Sequence, residues 1–537
     1  MGKRVVAVFT AVLVLLTICA GRVLALAVWD DSLAQTAVGQ RQYTLSVPAG
    51  RGNFYDRAGR VLTGGKVRYL AAVAPEEQAA AALEKVLPAA RMAEVADLLE
   101  EGKPFLVSLD APVEAPGIVC IPQAVRYTAA KPAVHLIGYL NGGGHGMAGL
   151  EKAYDSLLAE GSGKTTVTYT VDALGHLLPG DHPVVSEEQA QAPAGISLTL
   201  DLELQKAAEQ AAEKYLKKGA VVVLEAGSGR MLASVSLPAF DPSDIAASLN
   251  APDGPLVNRV LQPYSVGSVF KLVSAAAALE AGADPNAPYT CTGAQQVEGR
   301  LFHCSGGTAH GVVTMRQAVA RSCNSYFVNL MQGIEPAAFL REARLCSFGA
   351  EIPLAPGLES ASGTLPTLGE LQSRQALANF SFGQGALSAT PLQVASMVNV
   401  VASKGIYTQP AITAGKMDEQ THKVQPAAAP ASHAAMSAGA AAQLASYMRD
   451  CVETGTGKNG KPAHVPAAAK TATAQTGHVV DGEEENICWY AGFFPADAPR
   501  YVVAVMAEGG TGGGADCGPV FRQIADTLYP KAIDNAG

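Results

Sequence analysis

The sequence has few aromatic residues, few charges and no closely spaced pair of cysteines. Of its 537 residues, 6% are aromatic and 16% are charged, and the net charge of −9 is mild for this length. A nucleic-acid-binding protein is normally basic, so the composition argues against that class. The nine cysteines include no C-x-x-C pair, which argues against a zinc ribbon or a thioredoxin-type site. Neither a metal ion nor an organic cofactor is predicted.

The scattered cysteines and histidines have structural interpretations. Cys291 and Cys304 are close enough in sequence to close a small loop through a disulfide if the domain is exported. Separately buried thiols are the alternative. His135, His303 and His310 are dispersed, and a structural role is predicted for each.

The N-terminus has the pattern of a membrane anchor. Residues 1–4 are basic, and residues 5–28 are apolar apart from three polar residues, which is long enough for a helix that crosses a bilayer. The basic residues predict a cytoplasmic tail at 1–4 and export of the remainder. A cleaved signal peptide is the alternative, because Ala25, Leu26 and Ala27 resemble a cleavage site.

The length predicts two or three domains, and the 48% hydrophobic content predicts that they are folded. Residues 29–192 read as a mixed α+β domain. Within it, residues 47–62 form the pattern strand, turn, strand, and residues 76–101 have helical periodicity. A stretch rich in Ala, Gln and Pro at 187–195 indicates the boundary with the next domain.

Residues 193–537 predict a second domain, built from an antiparallel sheet and a helical cluster. Strands at 220–224 and 231–235 form a hairpin around a glycine turn. Strands from both ends of the domain, with helices between them, predict one sheet flanked by helices, and the fold class is α+β. The other predicted elements are a helix at 202–218, strands at 467–474, 487–494 and 501–508, and a closing helix at 520–529.

A candidate nucleophile lies in the segment Ser268-Val269-Phe270-Lys271. The serine and the lysine are one helical turn apart, and Gly267 with the apolar residues that follow places Ser268 at a helix N-terminus. A serine hydroxyl reacts only when a base removes its proton. A desolvated lysine near a second cation loses its own proton at neutral pH. We therefore predict Ser268 as the nucleophile and Lys271 as its general base.

The segment Ser322-Cys323-Asn324 supplies two partners for this pair. The Ser322 hydroxyl is predicted to relay a proton between Lys271 and the leaving amine, and Asn324 to bind a substrate amide. Cys323 is predicted to point away and to pack. Each motif by itself occurs by chance, whereas their order along the chain indicates an acyl-serine site.

The third segment, Lys470-Thr471-Ala472-Thr473, is predicted to form the edge of the cleft. Lys470 supplies the second positive charge, suited to a substrate carboxylate and to lowering the pKa of Lys271. Thr471 and Thr473 offer hydroxyl groups to that carboxylate. The backbone N–H groups of Thr473 and Ser268 are predicted to form an oxyanion hole.

With these motifs the chain resembles the class B penicillin-binding proteins. A serine-lysine pair, a serine-asparagine motif and a final Lys-Thr-Gly are typical of penicillin-binding proteins and serine β-lactamases. Residues 51–57 and 149–155 resemble the family's non-catalytic pedestal. Other landmarks of the transpeptidase domain are residues 263–268, 381–385, 390–393 and 489–493.

The resemblance implies a serine β-lactamase/transpeptidase-like domain behind a membrane anchor and a pedestal, with D,D-transpeptidase activity. Ser268 would attack the penultimate D-Ala carbonyl of a peptidoglycan stem peptide, and an amine of a neighbouring strand would resolve the acyl-enzyme. β-Lactams would acylate the same serine. The implied partners are products made from lipid-linked precursors, a membrane-embedded glycosyltransferase, and proteins of division or sporulation.

Two other functions are compatible with the same motifs. A β-lactam sensor or β-lactamase would trap or discard the acyl group, although neither needs a pedestal. A catalytically silent scaffold would use the pedestal and anchor to recruit cell-wall-synthesis partners. A bifunctional enzyme with its own glycosyltransferase domain is excluded by the short N-terminal region. The compact pedestal and short C-terminus favour division or sporulation over elongation.

The chain departs from the family pattern at two positions. Val266 stands where the family often has proline, which should only loosen the turn. Ala472 stands where glycine is usual, and its methyl group is expected to narrow the approach of a ligand to the strand and to alter β-lactam affinity.

Overall fold

The computed structural model describes residues 2–28, 41–48, 50–128, 130–160, 164–178, 182–187, 194–480 and 483–530. Two compact units interleave along the chain. The N-terminal unit contains Met1–Arg51, Gly64–Arg126 and Gly161–Pro193, and the C-terminal unit contains Gly52–Thr63, Tyr127–Glu160 and Ala194–Gly537. The sequence predicted contiguous domains at 29–192 and 193–537, whereas here two segments of the first stretch pack with the second.

The N-terminal unit contains two antiparallel sheets and the N-terminal helix. The strand orders are Phe105–Leu109, Lys66–Val73, Ile118–Val125 in one sheet and Gln42–Pro48, Lys164–Thr170, Val184–Glu187 in the other. The predicted helical stretch at 76–101 forms two helices, Glu77–Glu84 and Ala89–Glu100. Pro88 is the N-cap of the second helix, and proline disfavours helical conformation in the residue before it, so the two helices do not join into one.

The N-terminal helix spans Gly2–Val28. Within it, Gly2–Leu26 has a mean hydropathy of 2.3 and is long and apolar enough to cross a bilayer. This helix therefore has the length and composition of a single-pass membrane anchor. A signal sequence has the same properties.

The C-terminal unit is built around a five-stranded antiparallel sheet. Its strand order is Met231–Leu237, Gly219–Glu225, Tyr501–Glu508, Glu483–Phe494, Ala468–Val480. The predicted hairpin and the three predicted C-terminal strands are therefore confirmed. Ala468–Val480 is the last strand of the sheet, and we call it the edge strand.

Alternating residues of this sheet face two hydrophobic cores. Val221, Val223 and Tyr490 pack with the helices Leu202–Tyr215 and Gly518–Leu528. Val222 and Trp489, on the other face, pack with the internal helices. A sheet with both faces buried explains why its central strands are almost continuously apolar. The helical cluster predicted for this domain thus covers one face of the sheet.

The remaining elements surround this core. A second sheet has the order Phe54–Tyr55, Ala194–Leu198, Thr413–Asp418, Val424–Pro426. The strand pairs are Tyr264–Ser265 with Ser388–Ala389, Tyr289–Cys291 with Gly311–Val313, Ala294–Val297 with Arg300–His303, Pro353–Ala355 with Leu358–Glu359, and Ile406–Thr408 with Ser432–Ala434. The other α-helices are Val134–Ile137, Gly149–Ala153, Asp155–Ala159, Ala246–Leu249, Lys271–Glu280, Met315–Ala320, Asn324–Met331, Pro336–Leu345, Arg374–Ser381, Pro391–Ala402 and Ala438–Glu453.

Local sequence explains where several of these helices begin. The Asp201 carboxylate accepts hydrogen bonds from the N–H groups of Glu203 and Leu204, which caps the helix Leu202–Tyr215. Thr390 and Gln393 form a capping box at the start of Pro391–Ala402, where proline occupies the first turn. These caps fix helices that support the site described next.

Candidate active site

Ser268 lies in a 3₁₀ turn, Gly267–Phe270, that leads directly into the helix Lys271–Glu280. The predicted position at a helix N-terminus is therefore confirmed. Gly267 has a φ of 61°, a left-handed conformation that favours glycine, and a side chain there would meet the methyl group of Ala474. Ser268 is half-buried at the wall of a cleft, while Val269 and Phe270 are buried beneath it.

Three hydrogen bonds hold the turn and the residues on either side of it in place. The Gly267 N–H donates to the carbonyl of Gly383 at 2.9 Å, and a side chain on Gly383 would collide with the Gly267 carbonyl. The Trp489 indole N–H donates to the carbonyl of Ser265 at 2.9 Å. The Ser274 hydroxyl donates to the carbonyl of Ser381 at 2.7 Å. The landmark segments at 381–385 and 489–493 thus position the turn that carries Ser268.

Lys271 is fully buried and makes three hydrogen bonds to the Ser322-Cys323-Asn324 segment. Its Nζ lies 2.7 Å from the Ser322 carbonyl oxygen, 3.2 Å from Ser322 Oγ and 2.6 Å from Asn324 Oδ1. Burial, followed by the positive charge of Lys470, holds the pKa of Lys271 well below its usual range. A lysine in this setting is neutral at a pH where an exposed lysine is charged.

Lys470 is also fully buried and shares Ser322 with Lys271. Its Nζ donates to Ser322 Oγ at 3.0 Å and to the Thr471 carbonyl at 2.8 Å. Burial lowers the pKa of Lys470 to about 8. The Ser322 hydroxyl therefore lies between two ammonium or amine groups, an arrangement that can pass a proton from one to the other.

The structure brings Lys271, Ser322, Asn324 and Lys470 into one connected network. Within the part of the chain that the structure describes, no hydrogen bond joins Ser268 Oγ to Lys271 Nζ. Such contacts are often long before a substrate binds. Ser268 and Asn324 meet instead at the cleft, whose walls they share with Thr473.

The cleft has a volume of about 690 Å³ and a largely polar lining. Apart from the predicted residues, the cleft is lined by residues 300–306 and by Asn379, Phe382, Gln384, Gly385, Gln475 and Asn486. Our sequence interpretation missed the wall at 300–306. The Glu298-Gly299 dipeptide between two short strands was the signal that could have located it, because such pairs turn β-hairpins.

The two threonines of the edge strand differ in their surroundings. Thr471 is 6% exposed, and its hydroxyl oxygen lies 2.6 Å from that of Thr456. Thr473 is exposed and lines the cleft. Only Thr473 is therefore placed to offer its hydroxyl group to a molecule in the cleft, whereas both threonines were predicted to do so.

Ala472 is 3% exposed and belongs to the hydrophobic core. Its methyl group faces Gly267, since a β-carbon built on that glycine would lie 3.4 Å from it. Successive residues of a strand face opposite sides, so Ala472 shares the inner side with Lys470. This differs from the expectation that the methyl group narrows the approach of a ligand.

Comparison with known proteins agrees with this geometry. The model of the penicillin binding protein transpeptidase domain matches residues 219–526. The peptidoglycan D,D-transpeptidase PbpA of Mycolicibacterium smegmatis is 31% identical over 57% of this chain and 66% of its own length. Stage V sporulation protein D of Bacillus subtilis is 27% identical over 77% of this chain and 65% of its own length.

A solved structure extends the similarity over almost the whole chain. It is a chain of a peptidoglycan synthase complex that coordinates polymerization and crosslinking. Its TM-score is 0.70 at 25% identity, over 98% of each chain. The present chain spans 65–66% of the length of the two curated relatives. Because the family model covers more than half of the 537 residues and the relatives include stage V sporulation protein D, the chain belongs to the penicillin-binding protein transpeptidase family as a class B member.

Proposed function

We propose that the protein is a peptidoglycan D,D-transpeptidase that works through an acyl-serine intermediate on Ser268. The observation that carries the proposal is the pair of buried lysines that share the Ser322 hydroxyl beside the cleft. Two buried lysines side by side are unfavourable for stability alone, since burial and mutual repulsion oppose charging both, so a catalytic purpose explains them better than a structural one.

In the proposed reaction Lys271 accepts the proton of Ser268 as the Oγ–carbon bond forms with the penultimate D-Ala carbonyl. The tetrahedral oxyanion is stabilised by the N–H groups of Ser268 and Thr473. The peptide C–N bond then breaks, and the amine of the terminal D-Ala receives a proton from Lys271 through Ser322. A second amine attacks the ester carbon and gives a proton to Lys271. The new amide forms as the ester bond to Ser268 Oγ breaks, and Lys271 returns the proton to Oγ.

The other predicted residues have separate proposed roles. Asn324 lies at the cleft and would hold a substrate amide, and Thr473 would bind the terminal carboxylate. Lys470 is buried, so its charge would act on that carboxylate at a distance and would keep Lys271 neutral. Thr471, through Thr456, and Ala472, through its contact in the core, would hold the edge strand in place.

The N-terminal helix is proposed to anchor the protein in the cell membrane by a single span. Lys3 and Arg4 favour a cytoplasmic N-terminus, and with a single span the cleft would then lie outside the cytoplasm. The pedestal at 29–192 is proposed as a non-catalytic domain that precedes the transpeptidase domain at 193–537.

A membrane-embedded glycosyltransferase is the proposed partner, since the similar chain of the solved complex belongs to a peptidoglycan synthase assembly. Division or sporulation is the proposed setting, supported by the similarity to stage V sporulation protein D.

The test is acylation of the full-length protein by a fluorescent penicillin, followed by release of D-Ala from a stem-peptide donor in the presence of an amine acceptor. We expect the parent protein to be labelled and to form the cross-linked product, and Ser268→Ala to do neither. Absence of labelling in the folded parent protein would contradict the proposal and favour a silent scaffold. Rapid turnover of the β-lactam without a cross-linked product would identify a β-lactamase, and a stable adduct without any product would identify a sensor.

A further inference from the structure

Three cysteines and one histidine meet beside the candidate active site. Cys291 ends one short strand, Cys304 follows the strand Arg300–His303, His310 precedes the strand Gly311–Val313, and Cys323 is the N-cap of the helix Asn324–Met331. Their ligand atoms all lie within 4.8 Å of one another. The cysteines are 0–2% exposed, and His310 is half-buried.

The spacing of these atoms does not fit a disulfide. The sulfur atoms of Cys291 and Cys304 are 3.8 Å apart, and those of Cys304 and Cys323 are 3.9 Å apart. A disulfide requires about 2.05 Å between its sulfur atoms. All three cysteines are free. A disulfide between any two of these cysteines would also not explain why the third thiol and the imidazole lie beside them.

The spacing does fit tetrahedral coordination. With zinc bonds of about 2.3 Å to sulfur and about 2.0 Å to nitrogen at tetrahedral angles, neighbouring sulfur atoms lie about 3.8 Å apart and a nitrogen lies about 3.5 Å from a sulfur. The distance from His310 Nδ1 to Cys291 Sγ is 3.4 Å. These three separations lie within about 0.2 Å of those expected around one zinc ion, and all four ligand atoms lie within 4.8 Å of one another.

We infer that Cys291, Cys304, His310 and Cys323 bind one structural zinc ion. Three thiolates and one imidazole are a recognised set for closed, four-coordinate zinc sites. No carboxylate belongs to the cluster, which disfavours the hard cations magnesium and calcium, since these take oxygen ligands. The ligands supply all four positions, so the ion holds no open position for a substrate.

Neighbouring polar groups support the ligands. The Ser325 hydroxyl lies 3.0 Å from Cys291 Sγ and 3.5 Å from Cys323 Sγ, where it can donate to a thiolate. Arg321 donates to the backbone carbonyl of His310 at 3.2 Å, which fixes the loop that carries the imidazole. Hydrogen bonds of this kind orient metal ligands and are common around zinc.

The zinc ion would join the wall of the cleft to the Ser322-Cys323-Asn324 segment. Cys304 belongs to the wall, and Cys323 lies between the two residues that contact Lys271. Next to Cys304, the His303 carbonyl accepts a hydrogen bond from the Asn324 amide at 2.8 Å. Removal of the ion would therefore loosen both the cleft wall and the residues that hold Lys271.

The sequence alone concealed this site. The prediction of no metal depended on the absence of a C-x-x-C pair, whereas these ligands extend from residue 291 to residue 323 as single residues in separate elements. Cys323 points away from the cleft as predicted, and its sulfur atom lies against the other three side chains of the cluster. His310, for which only a structural role was predicted, would serve that role as a ligand.

The direct test is the zinc content of the full-length protein, purified without a polyhistidine tag. We expect about one zinc ion per chain in the parent protein, and less than a fifth of that in Cys304→Ser and in the double variant Cys291→Ser with His310→Gln. Cys346→Ser is the matched control, because Cys346 is equally buried but lies outside the cluster, and it should retain the metal. Equal zinc in the parent and in Cys304→Ser would overturn the inference. So would a mapped disulfide between Cys291 and Cys304, or three free thiols in a metal-free parent protein that is fully folded.

Replacement by cobalt keeps the test valid if the variants fail to fold. The parent protein loaded with Co²⁺ should show intense thiolate-to-cobalt charge-transfer absorption and the visible bands of a tetrahedral ion. An octahedral cobalt spectrum without charge-transfer bands would contradict the site. Neither metal content nor this spectrum depends on penicillin labelling. A zinc-bound protein that is not labelled would therefore refute the proposed function alone, and a labelled protein without zinc would refute this inference alone.

Discussion

Lys271 Nζ donates a hydrogen bond to the backbone carbonyl of Ser322 at 2.7 Å, and the Ser322 backbone is left-handed, with a φ of 59°. That conformation costs a residue with a side chain about 1 kcal/mol. It also turns the Ser322 hydroxyl to a position between Lys271 and Lys470. The same lysine that needs the hydroxyl thus stabilises the strained backbone that presents it.

Two substitutions separate the hydroxyl from the strain. Ser322→Ala and Ser322→Gly both remove the proposed proton relay, and we expect both to slow acylation by a β-lactam about 100-fold. Glycine adopts the left-handed conformation without strain, so Ser322→Gly should unfold about 1 kcal/mol less readily than Ser322→Ala. Stopped-flow acylation and thermal unfolding measure the two effects. Acylation restored by glycine would show that backbone geometry, and not the hydroxyl, limits the rate.

The pH dependence of acylation should be bell-shaped because both lysines have lowered pKa values. Lys271 must be neutral to accept the proton of Ser268, so the rate should fall as the pH falls through its lowered pKa. Lys470 must be charged, so the rate should fall again as the pH rises through its pKa of about 8. The measurement is the acylation rate constant between about pH 5 and about pH 10. This range lies between the ordinary pKa values of carboxyl groups and of lysine.

Lys470→Arg tests the assignment of the basic limb. A guanidinium keeps its charge at any pH used here, so the basic limb should move upward while the acidic limb stays in place. A basic limb that stays near the parent position in this variant would assign that limb to another group.

Ala472→Gly restores the residue that is usual in the family, and we expect little change in chemistry. The methyl group faces Gly267 inside the core, so acylation by a β-lactam should change less than about twofold, since no group at the cleft is altered. The variant should be less stable by about 1 kcal/mol. Glycine loses more backbone entropy than alanine when the chain folds, and a buried methyl group is lost. A tenfold change in acylation with unchanged stability would instead place the methyl group in contact with the ligand.

The sequence predicted those features that depend on local patterns. The hairpin around residues 225–230 and the strands near the C-terminus have clear apolar runs, and the sheet followed from them. The helix predicted at 76–101 was interrupted, because Pro88 outweighs the periodicity around it.

Features that depend on the packing of distant segments could not be predicted. The sequence of a strand shows that successive side chains alternate between two sides, but not which side faces the core. The direction of the Ala472 methyl group therefore could not be predicted. The burial of Lys470 depends on contact with Ser322, which is 148 residues away. The cysteine cluster has the same origin, since separate short elements bring its members together.

Glu508 gives a final prediction, about the stability of the support behind Ser268. Its carboxylate accepts hydrogen bonds from Arg259 Nε at 2.7 Å and from the Tyr264 hydroxyl at 2.9 Å, and it pairs with Lys218 at 2.8 Å. Arg259 is only 3% exposed, so removing the carboxylate charge would leave a buried cation without a counter-ion. We expect Glu508→Gln to lower the free energy of unfolding by about 3 kcal/mol at pH 7, while Lys218→Met, which removes a more exposed partner, costs less than about 1 kcal/mol.

The effect of Glu508 should depend on pH in a direction that its surroundings fix. Burial raises the pKa of this carboxyl, but the hydrogen bond from Lys218 and the charge of Arg259 outweigh burial and leave it below its ordinary value. A folded-state pKa below the unfolded one means that the stabilisation is present at neutral pH and is lost as the pH falls through the folded value. The difference in unfolding temperature between the parent and Glu508→Gln, measured by calorimetry, should therefore shrink as the pH falls below the ordinary range of a glutamate carboxyl. A difference that stays constant from pH 7 to pH 3 would mean that shape, and not charge, is what Glu508 contributes beneath the turn that carries Ser268.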